Sequence, residues 1–112
     1  MQVIETAKLK ELLQDSRRHA EVINVLPRQS FEQEHIKGSS NIPLGSDDFV
    51  QQVARRVQTK QDRVVVYCAD AECDASPKAA EELEDNGFTN VYDYEDGMKG
   101  WREAGLPIAT AA

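Results

Sequence analysis

Two thiols and three carboxylates crowd one short stretch of this chain. Residues Val64 to Pro77 read Val-Val-Val-Tyr-Cys-Ala-Asp-Ala-Glu-Cys-Asp-Ala-Ser-Pro. Cys68 and Cys73 lie five positions apart, with Asp70, Glu72 and Asp74 interleaved. A cysteine thiolate is a nucleophile, and a second thiol nearby can resolve what the first has bound by closing a disulfide. The alternative readings are an inert buried thiol at Cys68 and a bystander at Cys73. Two cysteines in one loop cannot staple a fold, so thiol chemistry is the better expectation. With two scattered histidines, His19 and His35, they make no zinc pattern, and no metal is expected.

The flanking residues say how Cys68 is held. Three β-branched residues and a tyrosine, without helical period, suit a strand buried on both faces. Ser76 is a favoured N-cap and Pro77 fits a first helical position, so a helix is expected to start there. Cys68 then sits where a central strand stops, ahead of a helix N-terminus. Sites in open α/β sheets form at the carboxyl ends of strands, and a helix start favours a thiolate.

The remaining elements follow from pattern. Val3-Ile4 is a short strand. Thr6 is expected to cap a helix carrying Leu9, Leu12 and Leu13. Val22 to Leu26 is a strand stopped by Pro27, and a helical turn flanked by Phe31 and Ile36 ends at Gly38. Ser39 to Leu44 is extended, and Ser46 is expected to cap a helix with Val50, Val53, Ala54 and Val57 on one side. Ala79, Ala80 and Leu83 mark a helix closed by Asn86-Gly87. Asn90 to Tyr94 alternates as a last strand. Met98, Trp101 and Ala104 line a final helix ahead of Gly105 and Pro107. Alternating strands and helices predict an α/β fold, with a parallel sheet of about five strands and helices on both faces. One domain over 1–108 and a disordered tail over 109–112 are expected.

The 112 residues are 40% apolar and 29% charged, with a net charge of −7, as a globular chain would be. The acidic balance argues against nucleic acid and anionic membranes as partners. No apolar run nears the roughly 20 residues of a membrane span. Met1-Gln2-Val3-Ile4-Glu5 lacks a basic start followed by an apolar stretch, so a cytoplasmic location is expected.

In order and spacing these pieces resemble a single-domain rhodanese. Val22-Ile23-Asn24-Val25-Leu26 stands where that family has a strand ending Asp-Val-Arg. Phe31, His35-Ile36, Gly38-Ser39 and Asn41-Ile42-Pro43 follow its Phe, Gly-His-Ile, Gly-Ala, Asn-Ile-Pro. Ala79-Ala80, Leu83, Gly87-Phe88, Asn90-Val91, Gly97-Met98, Trp101 and Gly105-Leu106-Pro107 continue the match. The resemblance implies a three-layer rhodanese-like fold and no cofactor. It implies that Cys68 takes a sulfane sulfur as a persulfide and passes it to a thiol acceptor. Backbone N–H groups of the loop, Ala69, Asp70, Ala71, Glu72, Cys73, Asp74 and Ala75, up to Ser76, are expected to cradle that sulfur. The implied partners are a small sulfur donor or a persulfide-carrying protein, and a basic or thioredoxin-like protein partner.

The chain departs from the family in three ways. Its loop is longer, it has no Arg or Lys within the loop, and Asn24 and Leu26 replace the usual Asp and Arg. The longer loop is also similar to those of dual-specificity phosphatases and arsenate reductases, which need an Arg for their oxyanion. The acidic trio is expected to repel thiosulfate or to select basic partners. Two further functions stay open: a redox module cycling a Cys68–Cys73 disulfide, and a non-catalytic binding domain of the same fold.

Overall fold

Five strands form one wholly parallel sheet, and the chain reaches its centre last but one. In the computed structural model, which describes residues 1–111, the order of elements is β1 (Gln2–Ile4), α1 (Thr6–Gln14), β2 (Ala20–Asn24), α2 (Arg28–Gln33), β3 (His35–Ile36), β4 (Ser40–Asn41), α3 (Phe49–Arg56), β5 (Arg63–Tyr67), α4 (Ala75–Asp85), β6 (Val91–Tyr94), α5 (Gly97–Glu103) and β7 (Ile108–Ala109). The main sheet runs β1-β6-β5-β2-β4, so β5 lies in the middle. Ala20 to Asn24 pair with Arg63 to Tyr67, and Val64 to Tyr67 pair with Val91 to Tyr94.

A central parallel strand is covered on both sides, and its period of two divides the core. Val64, Val66 and Cys68 face α3 and α4, where they meet Phe49, Val53, Ala79, Ala80 and Leu83. Val65 and Tyr67 face α1 and α5, where they meet Leu9, Leu12, Met98 and Trp101. The result is the three-layer α/β architecture expected of the sequence. Among the described residues, no helix is long and apolar enough to cross a membrane.

Several local expectations are corrected. Glu5, not Thr6, precedes α1; the Thr6 hydroxyl is drawn inward to the Tyr94 hydroxyl at 2.6 Å. Asp48, not Ser46, precedes α3, and the Ser46 carbonyl accepts from the Phe49 N–H. Ile36 is not in a helical turn with Phe31: α2 stops at Gln33, and His35-Ile36 pairs antiparallel with Ile108-Ala109. The tail is tied down where disorder was expected. Ala109 lies in β7, and the Ala111 N–H donates to the Glu32 carbonyl. Ala112 lies outside the described residues.

Candidate active site

Cys68 is the first residue beyond β5, at the carboxyl end of the sheet, and only 1% of it is exposed. Both its neighbours in the chain are fixed. Before it, the Tyr67 hydroxyl is buried on the opposite face and accepts from Asn24 Nδ2 at 3.1 Å and from the Ile36 N–H at 3.0 Å. It also meets Ser39 Oγ at 2.8 Å, and Ser39 donates on to the Ile36 carbonyl. Burial holds the phenol above its usual pKa, so it stays a neutral donor to Ser39. Asn24 Oδ1 in turn accepts from the Leu26 N–H. At the positions of the family's Asp and Arg, this chain therefore uses a neutral buried network with every member bonded.

After it, the backbone is clamped by the start of α5. The Met98 N–H donates to the Cys68 carbonyl at 2.8 Å and the Lys99 N–H to the Ala69 carbonyl at 2.9 Å. Gly97 makes this approach possible. Its φ is +63°, and a Cβ there would stand 2.5 Å from the Cys68 oxygen.

Cys68 and Cys73 are joined as a disulfide, their Cα atoms 6.4 Å apart. The Asp70 carboxylate folds the loop between them. Its Oδ1 accepts from the Glu72 N–H at 3.0 Å and the Cys73 N–H at 3.1 Å, an Asx turn. Two of the N–H groups expected to cradle a sulfur are thus turned to the loop's own carboxylate. The acidic trio also divides. Asp70 is used internally and Glu72 is exposed. Asp74 pairs with Lys78 at 3.0 Å, and that contact holds its carboxyl below the usual pKa. An open groove of about 470 Å³ adjoins the loop, with Asp70, Glu72, Asp96 and Glu103 around Lys99.

Ser76 does not cap α4, which is preceded by Asp74. It sits in the first turn, buried, with Oγ 3.5 Å from Cys68 Sγ. Sequence reasoning missed its neighbour Asp93. That carboxylate lies on the α4 side of β6, beside Val91, and is 4% exposed. The signal was there: a carboxylate amid Val-Tyr-Asp-Tyr, in a strand of a sheet expected to carry helices on both faces.

The side chains of the other singled-out residues shape a turn, sit at the surface, or fill the core on the opposite face of the sheet from Cys68. His35 stacks on Phe31 at 3.7 Å between ring centres, and its Nδ1 bonds the Phe31 carbonyl, which shapes the turn into β3. His19 is exposed and pairs with Glu21. Met98 and Trp101 are core, with Trp101 Nε1 donating to the Pro107 carbonyl at 2.7 Å.

A family model described as Rhodanese-like domain matches residues 5–104, nearly the whole chain. The chain belongs to the rhodanese-like family. Among curated relatives, a thiosulfate sulfurtransferase of Escherichia coli, PspE, is 36% identical over 85 residues, covering 76% of this chain and 74% of that protein. An HTH-type transcriptional regulator of Mycobacterium tuberculosis is 34% identical over 92 residues, covering 81% of this chain. Among solved structures, a thiosulfate sulfurtransferase from Pseudomonas aeruginosa aligns over the full chain, with a TM-score of 0.85 and 27% identity. This rhodanese-like chain spans 38% of the length of the regulator and 20% of that of the Pseudomonas protein.

Proposed function

We propose that this rhodanese-like chain is a sulfurtransferase in which Cys68 carries the sulfur and Cys73 resolves it. The observation that carries this reading is the cysteine at the end of the central strand with a second sulfur bonded to it from its own loop. With the disulfide reduced, the Cys68 thiolate attacks the outer sulfur of a sulfane donor. The donor's S–S bond breaks, its remainder leaves (sulfite, where the donor is thiosulfate), and Cys68 holds a persulfide. An acceptor thiol that attacks the outer sulfur carries it away and restores Cys68. Without an acceptor, the Cys73 thiolate attacks Cys68 Sγ, hydrosulfide leaves, and the Cys68–Cys73 disulfide forms. An external dithiol then reduces that disulfide and is itself oxidised. The relatives described as thiosulfate sulfurtransferases support this chemistry.

The disulfide also favours a second reading, a redox module whose cycle involves no transferred sulfur. Replacing Cys73 by Ser separates the two. If Cys73 resolves a persulfide, the Cys73→Ser variant loaded with thiosulfate keeps its Cys68 persulfide several-fold longer than the parent, read by mass spectrometry over time. Equal lifetimes would remove Cys73 from the sulfur pathway.

Thiosulfate is expected to be a slow donor. Asp70 and Glu72 stand beside the approach with no loop cation to offset them, while Lys78 screens Asp74. Like charge slows the encounter of an anion, and salt weakens that effect. Transfer from thiosulfate should rise with inert salt. The Asp70→Asn, Glu72→Gln, Asp74→Asn variant should be about tenfold faster than the parent at low ionic strength. A parent rate that is flat with salt, or a variant no faster, would mean that these carboxylates do not face the donor's path. The same groove carboxylates suit a partner that brings the sulfur, or the reducing dithiol, on a basic surface.

A further inference from the structure

We propose that Asp93 is a positioning residue for the nucleophile: through the Ser76 hydroxyl, its carboxylate accepts the proton that the Cys68 thiol gives up. The geometry is a buried line of three groups from three elements. Cys68 follows the last residue of β5, Ser76 Oγ lies 3.5 Å from its Sγ in the first turn of α4, and Asp93 of β6 is on the same face of the sheet, paired with Val66 two residues before Cys68. Cys68, Ser76 and Asp93 are all buried, and Asp93 Oδ1 has no hydrogen-bond partner among the described residues. A carboxylate so placed is costly unless it has a proton or a partner to take.

The transfer balances within the site. In the reduced protein the Cys68 S–H bond breaks and its proton goes to Ser76 Oγ, while the Ser76 proton goes to the Asp93 carboxylate. The products are a thiolate and a neutral carboxylic acid. The site carries one negative charge before and after, so no second charge is buried in a low dielectric. Ser76 then donates to the thiolate and accepts from Asp93.

The surroundings favour a carboxyl that can hold a proton. Burial raises the Asp93 pKa, the nearby Ser76 hydroxyl partly opposes this, and the negative charge of Glu95 raises it further. On the side of Asp93, its strand neighbours are Val3 of β1 and Val66 of β5, both apolar. Toward the carboxyl end of the sheet, the charged groups on the adjoining elements include Glu5 beyond β1, Asp70 and Glu72 in the loop after β5, and the mutually paired Asp74 and Lys78 at the start of α4; Arg63 opens β5 at the other end, and Glu81, Glu82, Glu84 and Asp85 follow along α4.

The proposal rests on Cys68 as the nucleophile, but its test reads protons and not sulfur transfer, so either idea can fail without the other. The full-length chain with Cys73→Ser, reduced, is alkylated with iodoacetamide across pH, and the Asp93 carboxyl is followed by carbon NMR. Two groups that share a proton titrate as a pair, in two steps. The alkylation rate should therefore rise in two steps, with the Asp93 resonance moving at the same two pH values. Asp93→Asn should leave a single step lying between them, displaced by about one pH unit or more from each. Ser76→Ala should uncouple the two titrations, and Ser76→Thr, which keeps the hydroxyl, should retain them. Alkylating Cys68 in the unsubstituted Asp93 background should reduce the carboxyl to one step, a result that needs no Asp93 variant to fold. An Asp93 titration that is the same before and after alkylation would overturn the proposal. So would an Asp93→Asn profile that is lower everywhere but unchanged in shape, which is the mark of a residue that only supports packing.

Discussion

Replacing Cys68 by Ser is expected to take sulfur transfer to background, a loss of at least about a thousandfold. The hydroxyl is nearly isosteric, but at neutral pH it is no nucleophile toward a sulfane sulfur and forms no persulfide. The fold should persist. Cys68 is packed between β5 and α4, and a Ser at the same place keeps a polar atom within reach of the buried Ser76 hydroxyl. The variant also loses the disulfide, so its stability is to be compared with that of Cys73→Ser, which loses the same crosslink and keeps the nucleophile. Transfer rate and urea midpoint are the measurements. Transfer retained in Cys68→Ser, with a matched midpoint, would exclude Cys68 as the sulfur carrier.

The second large effect is expected at a residue with no side chain to react. Gly97→Ala should destabilise the protein by about 3 kcal/mol or more, and should slow transfer by about a hundredfold in the fraction that folds. The cause is backbone against backbone. The added Cβ would stand 2.5 Å from the Cys68 carbonyl oxygen and 2.9 Å from Asp70 N, and neither can move without dragging the cysteine loop. The two hydrogen bonds from Met98 and Lys99 that fix Cys68 and Ala69 would stretch together. The left-handed backbone at φ +63° adds its own strain for any residue with a Cβ. Gly105→Ala is the control. Its φ is +71°, yet nothing lies within 4 Å of a Cβ there, so it should cost only the local strain, about 1–2 kcal/mol, and leave transfer unchanged. Equal stability and rate for the two alanine variants would mean that α5 does not hold the cysteine loop.

What the sequence made legible were the features that depend on local pattern. Val64-Val65-Val66-Tyr67 suited a strand covered on both sides, and it is the middle strand with a core on each face. The position of Cys68 at its end followed directly. What depends on contacts between distant elements was not legible. Ser76 has the chemistry of an N-cap, but its hydroxyl is buried and turned toward Cys68 Sγ, and no local signal distinguishes the two uses. Thr6 is diverted in the same way by Tyr94. His35-Ile36 and Ile108-Ala109 are too short to carry a period and exist only because they pair with each other. The acidic loop was read as three equivalent charges, whereas one folds the loop, one is exposed and one is paired with Lys78.

The most direct measurement is the intact mass of the reduced protein after brief exposure to a sulfane donor, followed by peptide mapping. The account predicts the mass of one added sulfur atom, carried on the peptide that holds Cys68 and removed by reductant. It should be absent in Cys68→Ser and longer-lived in Cys73→Ser. A protein that never gains sulfur from thiosulfate, from a persulfide of a small thiol or from polysulfide, and that only gains and loses two hydrogens between Cys68 and Cys73, would contradict it.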